Sequence, residues 1–137
     1  MERGEGMHYV TPDGRRLLDA MSGLWCCNAG HCRGPIIDAI TRQAERLDYA
    51  ASFQLGHAAA FRLAAKLAAL APGDLNHVFF CNSGSEAVDT ALKITLAYHK
   101  LSGQSTRTRF IGHERGYHGA CLGGTSVGGI PTNRKWF

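Results

Sequence analysis

The run His77-Val78-Phe79-Phe80-Cys81-Asn82-Ser83-Gly84-Ser85-Glu86-Ala87-Val88 constrains this chain more than any other. An apolar segment of strand length meets a short polar turn, and the turn opens into a helical pattern. The spacing predicts a strand over 77–81 and a helix from Ser85 to Lys100, with Val88, Ala91, Leu92, Thr95 and Leu96 along one side. Gly84 allows the backbone to approach a ligand closely, and Ser83 and Ser85 add hydroxyl groups. A helix N-terminus carries unpaired N–H groups and about half a positive charge. Such a turn is a ready seat for a phosphate group. Ser85 also reads simply as an N-cap, and both roles draw on the same unpaired donors.

A second short strand is predicted at Thr108-Arg109-Phe110-Ile111-Gly112, after the loop Ser102-Gly103-Gln104-Ser105. Strand, helix and strand suggest a right-handed βαβ unit in a parallel sheet. Upstream, Met7–Val10 and Arg16–Asp19 flank the turn Thr11-Pro12-Asp13-Gly14 and read as a β-hairpin. The stretch from Ser22 to Arg33 is irregular. Beyond Pro35, Ile36, Ile37, Ile40, Ala44 and Leu47 recur at helical spacing. An alanine-rich helix is predicted from His57 to Ala71 and ends at Pro72-Gly73-Asp74. Two parallel strands make a poor sheet, because parallel sheets are covered on both faces. The expectation is that a partner covers the apolar faces or that the chain is part of a larger fold.

With 137 residues, the chain has the length of one domain, and a compact chain of this size buries about two-thirds of its unfolded surface. The apolar content of 45% and charged content of 19% are those of a globular protein. The net charge of +4 is mild, and Lys and Arg are scattered, which argues against nucleic-acid binding. No apolar run approaches the roughly 20 residues of a membrane span, and no signal-peptide core opens the sequence. A cytoplasmic location is expected, without membrane partners. Five cysteines, an odd number, argue for reduced thiols. Cys26, Cys27, His31 and Cys32 do not follow the usual zinc spacing, so no metal is expected.

Leu24-Trp25, Asn82-Ser83-Gly84-Ser85-Glu86-Ala87 and Gly116-Tyr117-His118-Gly119 occur in that order, with Gly6-Met7-His8-Tyr9 and Asp13-Gly14 before them. Together they resemble the class III pyridoxal-phosphate-dependent aminotransferases, most nearly the omega-amino acid (β-alanine):pyruvate branch, and match its N-terminal portion. The resemblance implies an incomplete fold-type I α/β transferase. Residues 1–34 would form a hairpin and substrate-pocket segment, and residues 35–137 part of the large domain that binds pyridoxal 5′-phosphate. It assigns Ser83, Gly84 and Ser85 to the cofactor phosphate, Tyr117 to stacking on the pyridine ring, and His118 to a place beside that ring. Trp25 and Phe53 would line the substrate pocket. The implied substrates are an ω-amino acid or amine and a keto acid such as pyruvate, and the implied assembly is a homodimer.

The same resemblance implies what this stretch does not carry. The family's Schiff-base lysine, the acidic partner of the pyridine nitrogen and the arginine for the substrate carboxylate belong to later strands. Lys66, Lys93, Lys100 and Lys135 lie on helices or near the last residues, away from any apolar strand end. No catalytic residue is therefore assigned, and the isolated chain is expected to be inactive in transamination. An alternative is a non-catalytic cofactor- or phosphate-binding piece that needs a complementing chain. Another is a Ser/His hydrolase using Ser83 or Ser85 with His118, although the turn lacks the G-x-S-x-G pattern.

Overall fold

A computed structural model describes all of residues 1–137. The chain forms two compact units, Met1–Leu63 and Ala64–Phe137.

The first unit is built on a three-stranded antiparallel sheet, β1 (Arg3–Glu5), β2 (His8–Val10) and β3 (Arg16–Leu18), in that spatial order. The hairpin between β2 and β3 follows from its turn. Gly14 takes φ +84° and donates its N–H to the Thr11 carbonyl at 2.9 Å. The Arg15 amide donates to Thr11 Oγ1 at 3.0 Å, and Arg15 pairs with Asp13 at 2.8 Å. Hydrogen bonds from Thr11 and then Arg15 hold the Asp13 carboxyl below its ordinary range. Strand β1, unforeseen from its Arg-Gly-Glu sequence, pairs Gly4 opposite Tyr9. After the sheet comes one turn, α1 (Ser22–Trp25), with left-handed backbone: φ is +51° at Ser22, +57° at Gly23, +56° at Leu24 and +72° at Trp25. Left-handed geometry costs a non-glycine residue about 1–2 kcal/mol, so this turn needs outside support. Helix α2 (Gly34–Arg46) carries Pro35 in its first turn, as expected.

Helix α3 (Ala58–Leu70) stops before Pro72-Gly73, where the sequence placed its end. The second unit continues with α4 (Gly84–Leu101), α5 (Leu122–Val127) and α6 (Pro131–Arg134). The glycine-rich tail thus holds two short helices that its composition concealed. The predicted parallel strands do not form: His77–Cys81 and Thr108–Gly112 are irregular, and the only sheet is the antiparallel one. The apolar pattern is strand-like, but a strand needs a hydrogen-bonded neighbour. Neither run finds one among these residues.

Burial is correspondingly sparse. The chain exposes 11580 Å², whereas a compact monomer of its mass exposes about 7,000 Å². Folding therefore removes less than half of the unfolded surface, not the expected two-thirds. Val10 is the one buried apolar side chain, beside the buried Thr11. Much of the apolar surface predicted for the helices stays uncovered: Ile36, Ile40, Phe61, Leu70 and Leu101 are all exposed. No helix is long and apolar enough to cross a membrane.

Candidate functional site

The start of α4 differs by one residue from the expectation, and the difference matters chemically. Ser83, not Ser85, is the N-cap, with extended backbone at φ −152° and ψ 161°. Its Oγ accepts the Glu86 amide at 3.1 Å, and Glu86 Oε2 accepts the Asn82 amide at 2.9 Å. This is a near relative of the capping box, whose signature is a serine three residues before a glutamate. Ser83 and Glu86 thus close one side of the turn. The amides of Gly84 and Ser85 make no hydrogen bond in the structure, and both point out of the first helical turn.

Ser85, released from capping, holds a distant loop. Its Oγ accepts the Ala120 amide at 2.9 Å. Gly119 crosses the helix start so closely that an added Cβ would lie 2.8 Å from Ser85 Cα, and its φ is +106°. Glycine is required there on both counts. One turn further along α4, Asp89 accepts the amides of Gly123 at 3.2 Å and Gly124 at 2.8 Å. Residues four apart share a helix face, so Ser85 and Asp89 form two adjacent anchors for the segment 117–124. Sequence reasoning missed Asp89, because its partners lie 34 and 35 residues away.

That anchoring brings Gly84, Ser85, Val88, Tyr117, His118 and Gly119 around one open cavity of about 340 Å³. Four of the five residues expected at the cofactor line it, and Ser83 stands directly before them as the cap. Tyr117 is 60% exposed. No hydrogen bond joins His118 to Ser83 or Ser85, and both serine oxygens already accept from backbone amides. The cavity lining contains no lysine. A larger open groove of about 640 Å³ runs along α2 past Pro35, Ile36, Ile40 and Leu47, with Gln43, Asp48 and His57 also in its lining.

The two residues expected in a substrate pocket belong to the first unit. Trp25 ends the left-handed turn and is 73% exposed, and Phe53 is 88% exposed. Nearby, the Asp19 carboxylate accepts the amides of Met21 at 3.2 Å and Gly23 at 2.7 Å, and His31 Nε2 donates to it at 2.7 Å. Burial acts to raise the Asp19 pKa, but the hydrogen bonds from His31, Gly23 and Met21 outweigh it and hold the carboxyl below its ordinary range. Burial, and then the Asp19 charge, push the Tyr9 hydroxyl upward, so it stays protonated. His31 is therefore engaged with Asp19, and no group of three or more His, Cys, Asp or Glu side chains is gathered as for a metal.

Comparison with known proteins agrees with this architecture. The family model described as aminotransferase class-III matches residues 1–136. The chain is 57% identical over 137 residues to the omega-aminotransferase of Caulobacter vibrioides, covering 100% of this chain and 31% of that protein. It is 52% identical over 133 residues to the beta-alanine–pyruvate aminotransferase of Pseudomonas aeruginosa, covering 97% and 30% respectively. Among solved structures, the adenosylmethionine-8-amino-7-oxononanoate aminotransferase of Methanocaldococcus jannaschii superposes with a TM-score of 0.95 at 39% identity, over 100% of this chain and 31% of that one. An (S)-enantioselective omega-transaminase from Thermomicrobium roseum gives 0.92 at 38%, over 98% and 30%. The chain thus spans about a third of the length of the relatives it matches. Within that third the match runs almost from the first residue to the last, and the chain belongs to the class III aminotransferases.

Proposed function

We propose that this chain supplies the phosphate seat and ring-stacking wall for pyridoxal 5′-phosphate in a transaminase that moves an amino group from an ω-amino acid or amine to pyruvate. The observation that carries this reading is the pair of unpaired amides at Gly84 and Ser85, opening on the cavity shared with Tyr117 and His118. A phosphate monoester needs donors and a positive local field, and a helix N-terminus supplies both. The Ser83 and Ser85 oxygens accept from amides, which leaves each hydroxyl proton available to an anion. The exposed ring of Tyr117 suits a flat heterocycle, with offset stacking adding about 0.5–1.5 kcal/mol beyond burial. His118 lines the same cavity and offers a polar edge to the ring. When bound, pyridoxal phosphate supplies the electron-withdrawing ring on which amino-group transfer depends.

The chain's own residues bind and orient. Ser83, Gly84 and Ser85 hold the anionic end, and Tyr117 fixes the ring plane. Trp25 and Phe53 are proposed as aromatic walls for the amine's substituents. The covalent lysine is not among the cavity residues, so the 137-residue chain is proposed to bind cofactor without turning over. The assembly proposed for activity is a homodimer of chains that also carry the lysine.

The test is an alanine-formation assay with β-alanine, pyruvate and pyridoxal phosphate. This chain should add nothing to the rate of free cofactor, and added polypeptide carrying the lysine strands should restore turnover. Turnover by this chain alone would refute the division of labour between binding residues and lysine. The alternative, a hydrolase using Ser83 or Ser85, gains no support from a structure in which both serine oxygens serve amides.

A further inference from the structure

We propose that Asp19 and His31 are positioning residues for Trp25: their buried hydrogen bond ties the left-handed turn Ser22–Trp25 to the face of the N-terminal sheet and so sets where the indole stands. The functional consequence rests on the reading of Trp25 as a pocket wall. The tie itself does not.

Almost nothing in this molecule is buried, yet the Asp19 and His31 side chains are only 7% and 10% exposed. A buried ionic or polar pair is a weak source of net stability compared with apolar packing, and its best-attested use is to fix one arrangement among several. Here the arrangement that needs fixing is plain. Ser22, Leu24 and Trp25 all hold positive φ without being glycine. Such geometry persists only where the surroundings over-determine it, and it clusters at functional sites.

The surroundings form a continuous chain of contacts. His31 is paired by its backbone to Gly6, donating at 2.7 Å and accepting at 3.1 Å. Its ring lies 4.4 Å from the Tyr9 ring, centre to centre. It also sits on Gly4, where an added Cβ would come 2.9 Å from His31 Cβ and Cγ. Gly4 and Tyr9 are directly opposed in the β1–β2 register, so both present one face of the sheet to His31. From that face His31 Nε2 reaches Asp19 Oδ2, and the same oxygen receives the Gly23 amide in the middle of the turn. Asp19 Oδ1 receives the Met21 amide, and the Met21 carbonyl receives the Trp25 amide at 3.1 Å. The Trp25 side chain makes no hydrogen bond of its own and is largely exposed, so its direction is inherited from this backbone.

The experiment uses the Trp136→Phe variant, which leaves Trp25 as the only tryptophan. Amide exchange is read at Gly23 and across the β1–β2–β3 ladder, and fluorescence anisotropy reports on Trp25. Asp19→Ala and His31→Ala should each speed Gly23 exchange about tenfold or more and lower the anisotropy, while the ladder keeps its protection. Asp19→Asn, which retains an acceptor for Gly23, should fall between these and the parent. Gly4→Ala pushes on His31 from the sheet side and should loosen the turn without touching Asp19. Unchanged Gly23 exchange and anisotropy in Asp19→Ala would overturn the proposal. So would loss of ladder protection in step with Gly23 in every variant, because the pair would then hold the sheet rather than the turn. Failure of the pocket reading would look different: Trp25→Ala would leave amine binding unchanged while Gly23 still responded to Asp19→Ala.

Discussion

Two turns in this molecule gather backbone amides, and they dispose of them in opposite ways. At Met21 and Gly23 the amides converge on the carboxylate of Asp19, an anion that the chain itself supplies. At Gly84 and Ser85 the amides have no partner within the chain, and both residues line the open cavity beside Tyr117. Asp89 repeats the first solution at Gly123 and Gly124, two residues beyond the loop that frames that space. At both of these turns an internal carboxylate takes the converging amides. At the start of α4 the Glu86 carboxylate takes only the Asn82 amide, and the Gly84 and Ser85 amides keep no internal acceptor, which is the basis for proposing an external anion there.

Removing an internal anion tests this contrast most severely. Asp89→Ala leaves two amides without their acceptor and should destabilise the 117–124 segment by about 2 kcal/mol. The thermal midpoint should fall, and pyridoxal phosphate affinity should fall with it because Tyr117 and His118 lose their anchor. Melting curves and a cofactor titration check both. Equal affinity in the variant would separate Asp89 from the site. A smaller effect is expected at the stacking wall: Tyr117→Ala should weaken cofactor binding by about 1 kcal/mol, and Tyr117→Phe should hardly change it. A larger loss in Tyr117→Phe than in Tyr117→Ala would point to the hydroxyl instead of the ring.

The mildest perturbation is acid. Asp13 and Asp19 both sit below the ordinary value of 3.8 in the folded chain. Each therefore contributes stability that is present above that value and is lost as pH falls through the lower folded value. The Gly23 amide resonance should move in acid, below about pH 4, as the Asp19 carboxylate is protonated. A Gly23 resonance that stays unmoved through that acid range would separate the turn from the Asp19 carboxylate.

The same contrast explains what the sequence could and could not reveal. Helices α2, α3 and α4 were readable to within a residue or two because their periodicity and their proline and glycine punctuation are local. The cap was misplaced from Ser83 to Ser85, although Glu86, three residues after Ser83, marks the true start. The runs His77–Cys81 and Thr108–Gly112 carry strand chemistry, but pairing is a property of two segments, and the pattern of one cannot supply the other. The antiparallel sheet formed because its partners are joined by tight turns. Within the site, Ser83, Gly84, Ser85, Tyr117 and His118 were suggested by motif. Asp89 and the Asp19–His31 pair carried no sequence signal, since a lone acid in a helix or loop looks like any solvated charge until its distant amides arrive.

The central claim is that the Gly84 and Ser85 amides seat the phosphate of pyridoxal phosphate. It is tested by following those two amide resonances while titrating pyridoxal 5′-phosphate and, separately, pyridoxal without its phosphate. Both resonances should shift saturably with the phosphate ester alone. In Gly84→Pro, which removes one donor at a helix position that accepts proline, affinity should fall about tenfold with α4 intact. Equal shifts with both compounds, or shifts elsewhere with these two amides unmoved, would contradict it.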